Sequence, residues 1–250
     1  MLRLVLLAVI TLCSMTAHAG LDEGAAKSKY DEGLAAYNKK DYATALDKWH
    51  DIVVDADSDE QKRSAIKKIE QLAEKGYVLA QYKLGSLYED HDNEKALKWT
   101  RLAAEHGYVI AQNDLAVMYG DGRIVQKDDK EAVKWLRLAA AQGNSLAQFN
   151  LGMNYVKGEG VLQSRVIAYA LYSVAATQDP SYRRPPFDVN RKNLSSSMTA
   201  AEINAGQSLS RDMSKPKNLL KALDKYSNHP IVDEKLSAAS DGAELSHPAK

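Results

Sequence analysis

At 250 residues, with 33 basic side chains balanced by 33 acidic ones, the chain can bury a core and has no global charge to drive it onto nucleic acid or anionic lipid. Hydrophobic residues make up 45% of it, but with two Phe against 13 Tyr the core must be built from small and amphipathic side chains, which suits closely spaced helices. A single cysteine, Cys13, excludes an internal disulfide framework and any zinc site built on several thiolates.

The N-terminus has the layout of a secretory signal: Arg3 as a positive n-region, an apolar run from Leu4 to Leu12, and Ala17-His18-Ala19 as a small-x-small cleavage site. Residues 1–19 are therefore predicted to be removed, leaving a chain that begins near Gly20, carries a net charge of about −1 and works in the periplasm or as a secreted protein. Polar Thr11 and Ser14 interrupt the run well short of the ~20 apolar residues a bilayer span needs, so no stable membrane insertion is expected after cleavage. Bulky Leu12 disfavours lipoprotein processing at Cys13.

Residues 20–58 are predicted to hold a first helix pair, with Gly33-Leu34-Ala35-Ala36-Tyr37 in one helix and Tyr42-Ala43-Thr44-Ala45-Leu46 to Trp49 in the other. This pair caps the N-terminal end. Ser58-Asp59-Glu60-Gln61 then fits a capping box opening a helix that runs to Lys75.

From here the sequence repeats. Ala96, Trp99, Ala103-Ala104, Gly107, Ala111-Gln112, Leu115 and Tyr119 recur 36 residues later as Ala132, Trp135, Ala139-Ala140, Gly143, Ala147-Gln148, Leu151 and Tyr155. An upstream copy at a spacing of 31 keeps Leu72-Ala73, Gly76, Ala80-Gln81, Leu84-Gly85 and Tyr88, its missing residues falling in one loop. A fourth half-copy retains Ala168 and Ala175-Ala176 and puts Leu171 where Trp belongs, as terminal repeats often do. Within each copy, Ala96, Trp99 and Ala103 share a helix face, as do Ala111, Leu115 and Tyr119, so a repeat reads as two antiparallel helices. Gly76, Gly107 and Gly143 stand where the first helix must stop in a left-handed residue. Trp135 is expected to fill the interface between repeats. One helix pair cannot bury its stripe alone, so the predicted fold is an all-α solenoid of stacked helix pairs over residues 59–177.

Downstream, Arg183-Arg184-Pro185-Pro186 ends the array, and residues 178–226 are predicted to be a linker and C-terminal helices. The stretch after Met198-Thr199, with Ile203, Leu209 and Met213, folds back on the last repeat. Residues 227–250 lack aromatics and are rich in Ser, Ala, Asp, Glu and Pro, the composition of a disordered tail.

The spaced A-x-x-W, A-A-x-x-G and A-x-x-x-L-x-x-x-Y positions, with Gly158-Glu159-Gly160-Val161 as a G-x-G-V loop, closely resemble the Sel-1-like repeat family, relatives of tetratricopeptide repeats. Lys68 at the first copy's Trp position and Ala116 in place of the usual Gly are departures. The pair within 20–58 is closer to a tetratricopeptide repeat. The resemblance implies a protein–protein interaction module or adaptor without catalysis. It also allows an immunity protein that neutralises an exported toxin, or an envelope hydrolase; the hydrolase members rely on paired cysteines that this chain lacks.

Residue by residue, chemistry is scarce. The histidines form no metal or nucleophile motif, and His106, before a repeat glycine, is expected to be a variable exposed position. Asp55-Ala56-Asp57-Ser58-Asp59 begins like a calcium loop but has Glu60 where Gly is needed and Ile66 where a bidentate carboxylate is needed. The Gly-x-Gly pairs at 120–122 and 158–160 are repeat-loop glycines, not phosphate cradles, and Asn193-Leu194-Ser195 is a glycosylation triplet. No cofactor or metal is expected. One surface pattern follows the repeat: Lys98 and Lys134 are equivalent, as are Arg101 and Arg137, with uncharged Ala170 and Ser173 at the next rung. These four side chains are the candidate binding stripe for an acidic partner protein.

Overall fold

The computed structural model describes residues 20–178 and 186–228, of which 186 is described in its backbone only. The signal and Cys13 at 1–19, Arg183 to Pro185, and all of the tail beyond Asn228 lie outside the described residues. What is described is all-α, with twelve helices and no strand, 77% of the described residues being helical. The fold is a helical-repeat solenoid, and it divides into two compact units at His91/Asp92.

The first unit holds α1 (Glu23–Asn38), α2 (Tyr42–Asp55), α3 (Asp59–Glu74) and α4 (Val78–Tyr88). Asp22 and Asp41 cap α1 and α2 by accepting from Ala25 N–H at 2.8 Å and Thr44 N–H at 3.2 Å. Its core centres on Trp49, fully buried between Tyr30 and Tyr37, whose ring centroids lie 6.5 and 5.9 Å away. Gly33 makes that burial possible, because a Cβ there would overlap the indole nitrogen. The expected capping box at Ser58 does not form: Ser58 is the N-cap of α3 with no side-chain bond, and Gln61 Nε2 instead donates to the Glu23 carbonyl at 3.0 Å. The start of α1 competes successfully for the glutamine.

The second unit holds α5 (Asn93–Glu105), α6 (Val109–Asp121), α7 (Asp129–Ala141), α8 (Ser145–Lys157), α9 (Arg165–Gln178), α10 (Pro186–Ser195), α11 (Ala200–Met213) and α12 (Leu219–Ser227). In both units the first helix of each repeat ends alike. Gly76, Gly107 and Gly143 take φ of +84, +84 and +89°, and the next residue's N–H returns to a carbonyl five back, as from Tyr108 to Ala103 at 3.0 Å. Small residues let the helices meet: Ala96, Ala103, Ala111, Ala132, Ala139 and Ala147 are all buried. Trp99 is buried at 6% exposure, whereas Trp135 is only half-buried and packs on the rim of the core formed by Leu136, Leu151 and Leu171.

Helix α9 is buried on nearly every side, and its sequence says why: Val166-Ile167-Ala168-Tyr169-Ala170-Leu171-Tyr172 is apolar all round. Helix α11 covers one side of it, Gly206 allowing Tyr169 to approach. A reciprocal capping box between Thr199 and Glu202 opens α11, and Arg165 pairs with the buried Glu202 at 2.9 Å. Helix α12 then returns to α7, burying Leu219 and Leu223 in the same core. The glycosylation triplet Asn193-Leu194-Ser195 lies at the end of α10, inside helix and not in a loop.

Candidate partner-binding surface

Two rules govern which side chains of the repeat helices are available to a partner. The first concerns glutamine. Gln81, Gln112 and Gln148, equivalent and nearly inaccessible, each donate Nε2 to the carbonyl eight residues back, Ala73, Ala104 and Ala140, at 3.0 to 3.1 Å. In the second unit these amides also tie neighbouring repeats together, Gln142 donating to Gln112 Oε1 and Gln148 donating to Gln178 Oε1, both at 2.8 Å. Such buried amides are costly unless bonded, and here they are recruited as fasteners. Sequence pattern marked Gln as a repeat position but gave no sign of this role.

The second concerns the repeat tyrosine, eighteen residues after a polar side chain on the preceding helix. Tyr88 donates to Glu70 at 2.9 Å, Arg101 donates to the Tyr119 hydroxyl at 2.7 Å, and Arg137 bonds the Tyr155 hydroxyl. Arg137 is further held by Asp224 of α12 at 2.5 Å. Burial raises the Tyr155 phenol above its ordinary value, and Arg137 works against that shift.

The four predicted binding residues therefore separate into two kinds. Arg101 and Arg137 are half-buried and used within the fold. Lys98 and Lys134 are exposed, Lys98 lying over the Trp99 ring at 4.5 Å and Lys134 reaching Glu131 at 3.1 Å. One turn on, Leu102 and Leu138 stand on the same helix faces as the two lysines, Leu138 being 40% exposed. The next rung ends differently at its two positions. Ala170 is completely buried, and Ser173 bonds the Tyr169 carbonyl at 2.8 Å. At the third rung the lysine-equivalent position is therefore core, and the arginine-equivalent serine is bonded within its own helix.

A shallow cleft of about 210 Å³ lies on the opposite helices, between α6 and α8, lined by Val117, Asp121, Lys127, Asn150, Met153 and Glu159 among others. Its charges largely pair locally, Lys127 with Asp129 at 3.3 Å and Lys157 with Glu159 at 3.4 Å. Among the described residues, no three His, Cys, Asp or Glu side chains come together as a metal site, and no helix is long and apolar enough to cross a membrane. His106 is exposed at the C-cap of α5.

A family described as Sel1 repeat matches residues 78–108, 109–144 and 145–180. Among solved structures the chain is similar to a protective antigen present in uropathogenic Escherichia coli strains that displays an SLR fold, at 24% identity and a TM-score of 0.58 over 91% of this chain. It spans 50% of that antigen's length. It is also similar to a Sel1 repeat protein from Oxalobacter formigenes, at 34% identity and a TM-score of 0.45, covering 51% of this chain and 96% of that one. No curated protein matches the chain.

Proposed function

Because the chain is a Sel1 repeat protein across residues 78–180, we propose that it is an exported, non-catalytic interaction module that docks an acidic partner protein on its repeat helices α5 and α7. Sel1 repeats bind other proteins, and the observation that carries the finer assignment is periodicity in what stays exposed. Lys98 and Lys134 recur one repeat apart and are both exposed, with Leu102 half-buried and Leu138 exposed one turn on, whereas the equivalent Arg101 and Arg137 on the same helices are spent on bracing. Helices pack about 8 to 10 Å apart, so a partner carrying carboxylates and aliphatic side chains at that spacing meets two basic rungs and two apolar ones. Export is supported by the Arg3, Leu4–Leu12 and Ala17-His18-Ala19 pattern, and it places the partner in the cell envelope or outside the cell.

The informative variant is Lys98→Glu with Lys134→Glu. Extending the reversal to Arg101 and Arg137 would break the bonds to Tyr119 and Tyr155 and confuse binding with folding. Capture of a partner from envelope extract by the mature chain should weaken with salt and be largely lost in the double variant, mainly through slower association. Unchanged capture with helical circular dichroism preserved would move the surface elsewhere, to the α6–α8 cleft first.

A further inference from the structure

We propose that the α-ammonium of Gly20, created when residues 1–19 are removed, ion-pairs with Asp57 and fastens the start of the chain to the α2–α3 turn. This rests on the export assignment above. Leu21 N–H donates to the Asp55 carbonyl at 2.7 Å and Asp57 N–H donates to the Leu21 carbonyl at 3.3 Å, a short parallel bridge between Leu21 and Ala56.

Gly20 itself is pressed against the same turn. A Cβ at this position would stand 2.8 Å from the Asp55 carbonyl oxygen and 2.5 Å from Asp57 Oδ1. The first is backbone at the end of α2 and has little room to yield, so the site favours glycine. A main-chain nitrogen lies about 2.5 Å from its own Cβ position, so the Gly20 nitrogen is within about 5 Å of the Asp57 carboxylate.

In the unprocessed chain that nitrogen is a neutral amide. Hydrolysis of the Ala19–Gly20 bond by an exported-protein peptidase consumes one water, leaves a carboxylate on Ala19 and puts an ammonium on Gly20. An opposite charge within about 4 to 6 Å favours the charged form. The pair is exposed on both sides, so solvent screening keeps its effect modest. Its value is in register: an N-terminus one residue earlier carries the charge about 3.8 Å further along the chain, and one residue later loses the glycine altogether.

The test uses the mature chain released by a protease that leaves Gly20 first, and a second chain beginning at Ala19, each with and without Asp57→Asn. The substitution keeps the Asp57 N–H bond to Leu21, and circular dichroism checks that the helices are intact. NMR titration of the amino-terminal residue should give the Gly20-first chain an α-amino pKa above the ordinary range of roughly 7.7 to 8.0. Exposed pairs set the scale at about a two- to fivefold gain in proton affinity, lost in Asp57→Asn. The Ala19-first chain should be indifferent to Asp57. A Gly20-first chain whose α-amino group ignores Asp57→Asn would overturn the ion pair. Separately, intact mass of the exported protein should place the N-terminus at Gly20, and any other start would overturn the export register on which the proposal depends.

Discussion

The N-terminal helix pair and the central repeats solve the same packing problem with different materials. Around Trp49 the first unit uses large rings: Tyr30 and Tyr37 flank an indole that is wholly buried, its Nε1 without a hydrogen-bond partner, and one glycine makes the room. The repeats of the second unit use alanines at the helix contacts and buried glutamine amides as cross-ties, and there the tryptophans move outward, Trp99 to 6% exposure and Trp135 to half-buried. An aromatic core concentrates stability in one side chain. An alanine-and-amide core spreads it over equivalent positions, which is what stacking of like units requires.

The largest expected effect tests that contrast directly. Trp49→Ala should cost roughly 3 to 5 kcal/mol, the range for truncating a buried aromatic, and Trp135→Ala less because its ring is partly exposed already. Equal losses in chemical denaturation would break the comparison.

Next in size are the amides. Gln148→Ala removes two bonds from a fully buried position and should cost about 1 to 3 kcal/mol. Gln112→Ala should cost a similar amount, since its amide also makes two bonds, donating to the Ala104 carbonyl and accepting from Gln142. Thermal unfolding of the two variants sharpens the picture if the losses agree, and a large difference would mean that the repeats do not share one fastening rule.

Smaller still is the arginine brace. Arg137→Ala should cost about 1 kcal/mol, since its partner Asp224 is largely exposed, while its effect on α12 should be visible as faster hydrogen exchange at Leu223. Lys134→Ala beside it should change neither stability nor exchange, being a solvated i,i+3 pair with Glu131.

The two units should also differ in pH response. His50 in the first unit is pushed below its ordinary value, chiefly by burial and then by Lys83. The unfolded chain therefore holds more protons in the window between the lowered folded value and the unfolded value, and stability falls as pH drops through it. Tyr172 in the second unit, beneath Gly152, is pushed up to about 12 by burial. There the folded chain holds the proton that the unfolded chain has lost, so stability declines as pH rises from about 10 to about 12. His50→Gln should flatten the acid limb and Tyr172→Phe the alkaline limb of the denaturation midpoint against pH.

Most of the architecture was legible because it depends on spacing. The 36-residue period, the alanine and leucine faces and the stop glycines each report a local requirement, and Gly76, Gly107 and Gly143 all adopt the left-handed conformation their place implied. Caps were less legible: the box expected at Ser58 fails because Gln61 is taken by a carbonyl far away in sequence, and the box that does form, between Thr199 and Glu202, was not among the expectations. At the candidate surface, periodicity groups Lys98 with Lys134 and Arg101 with Arg137, but a period cannot say which way a long cation turns.

By itself, then, the sequence determined helix positions, repeat boundaries and the residues that recur, because helix periodicity and φ preference act within a few residues of the chain. Tertiary structure alone decided that Arg101 and Arg137 serve the repeat tyrosines, that α12 supplies Asp224 to Arg137, and that Ala170 lies in the core beneath α11. Those outcomes depend on which helices meet across tens of residues, where burial and the need to satisfy each polar group select one arrangement from many that the local pattern permits.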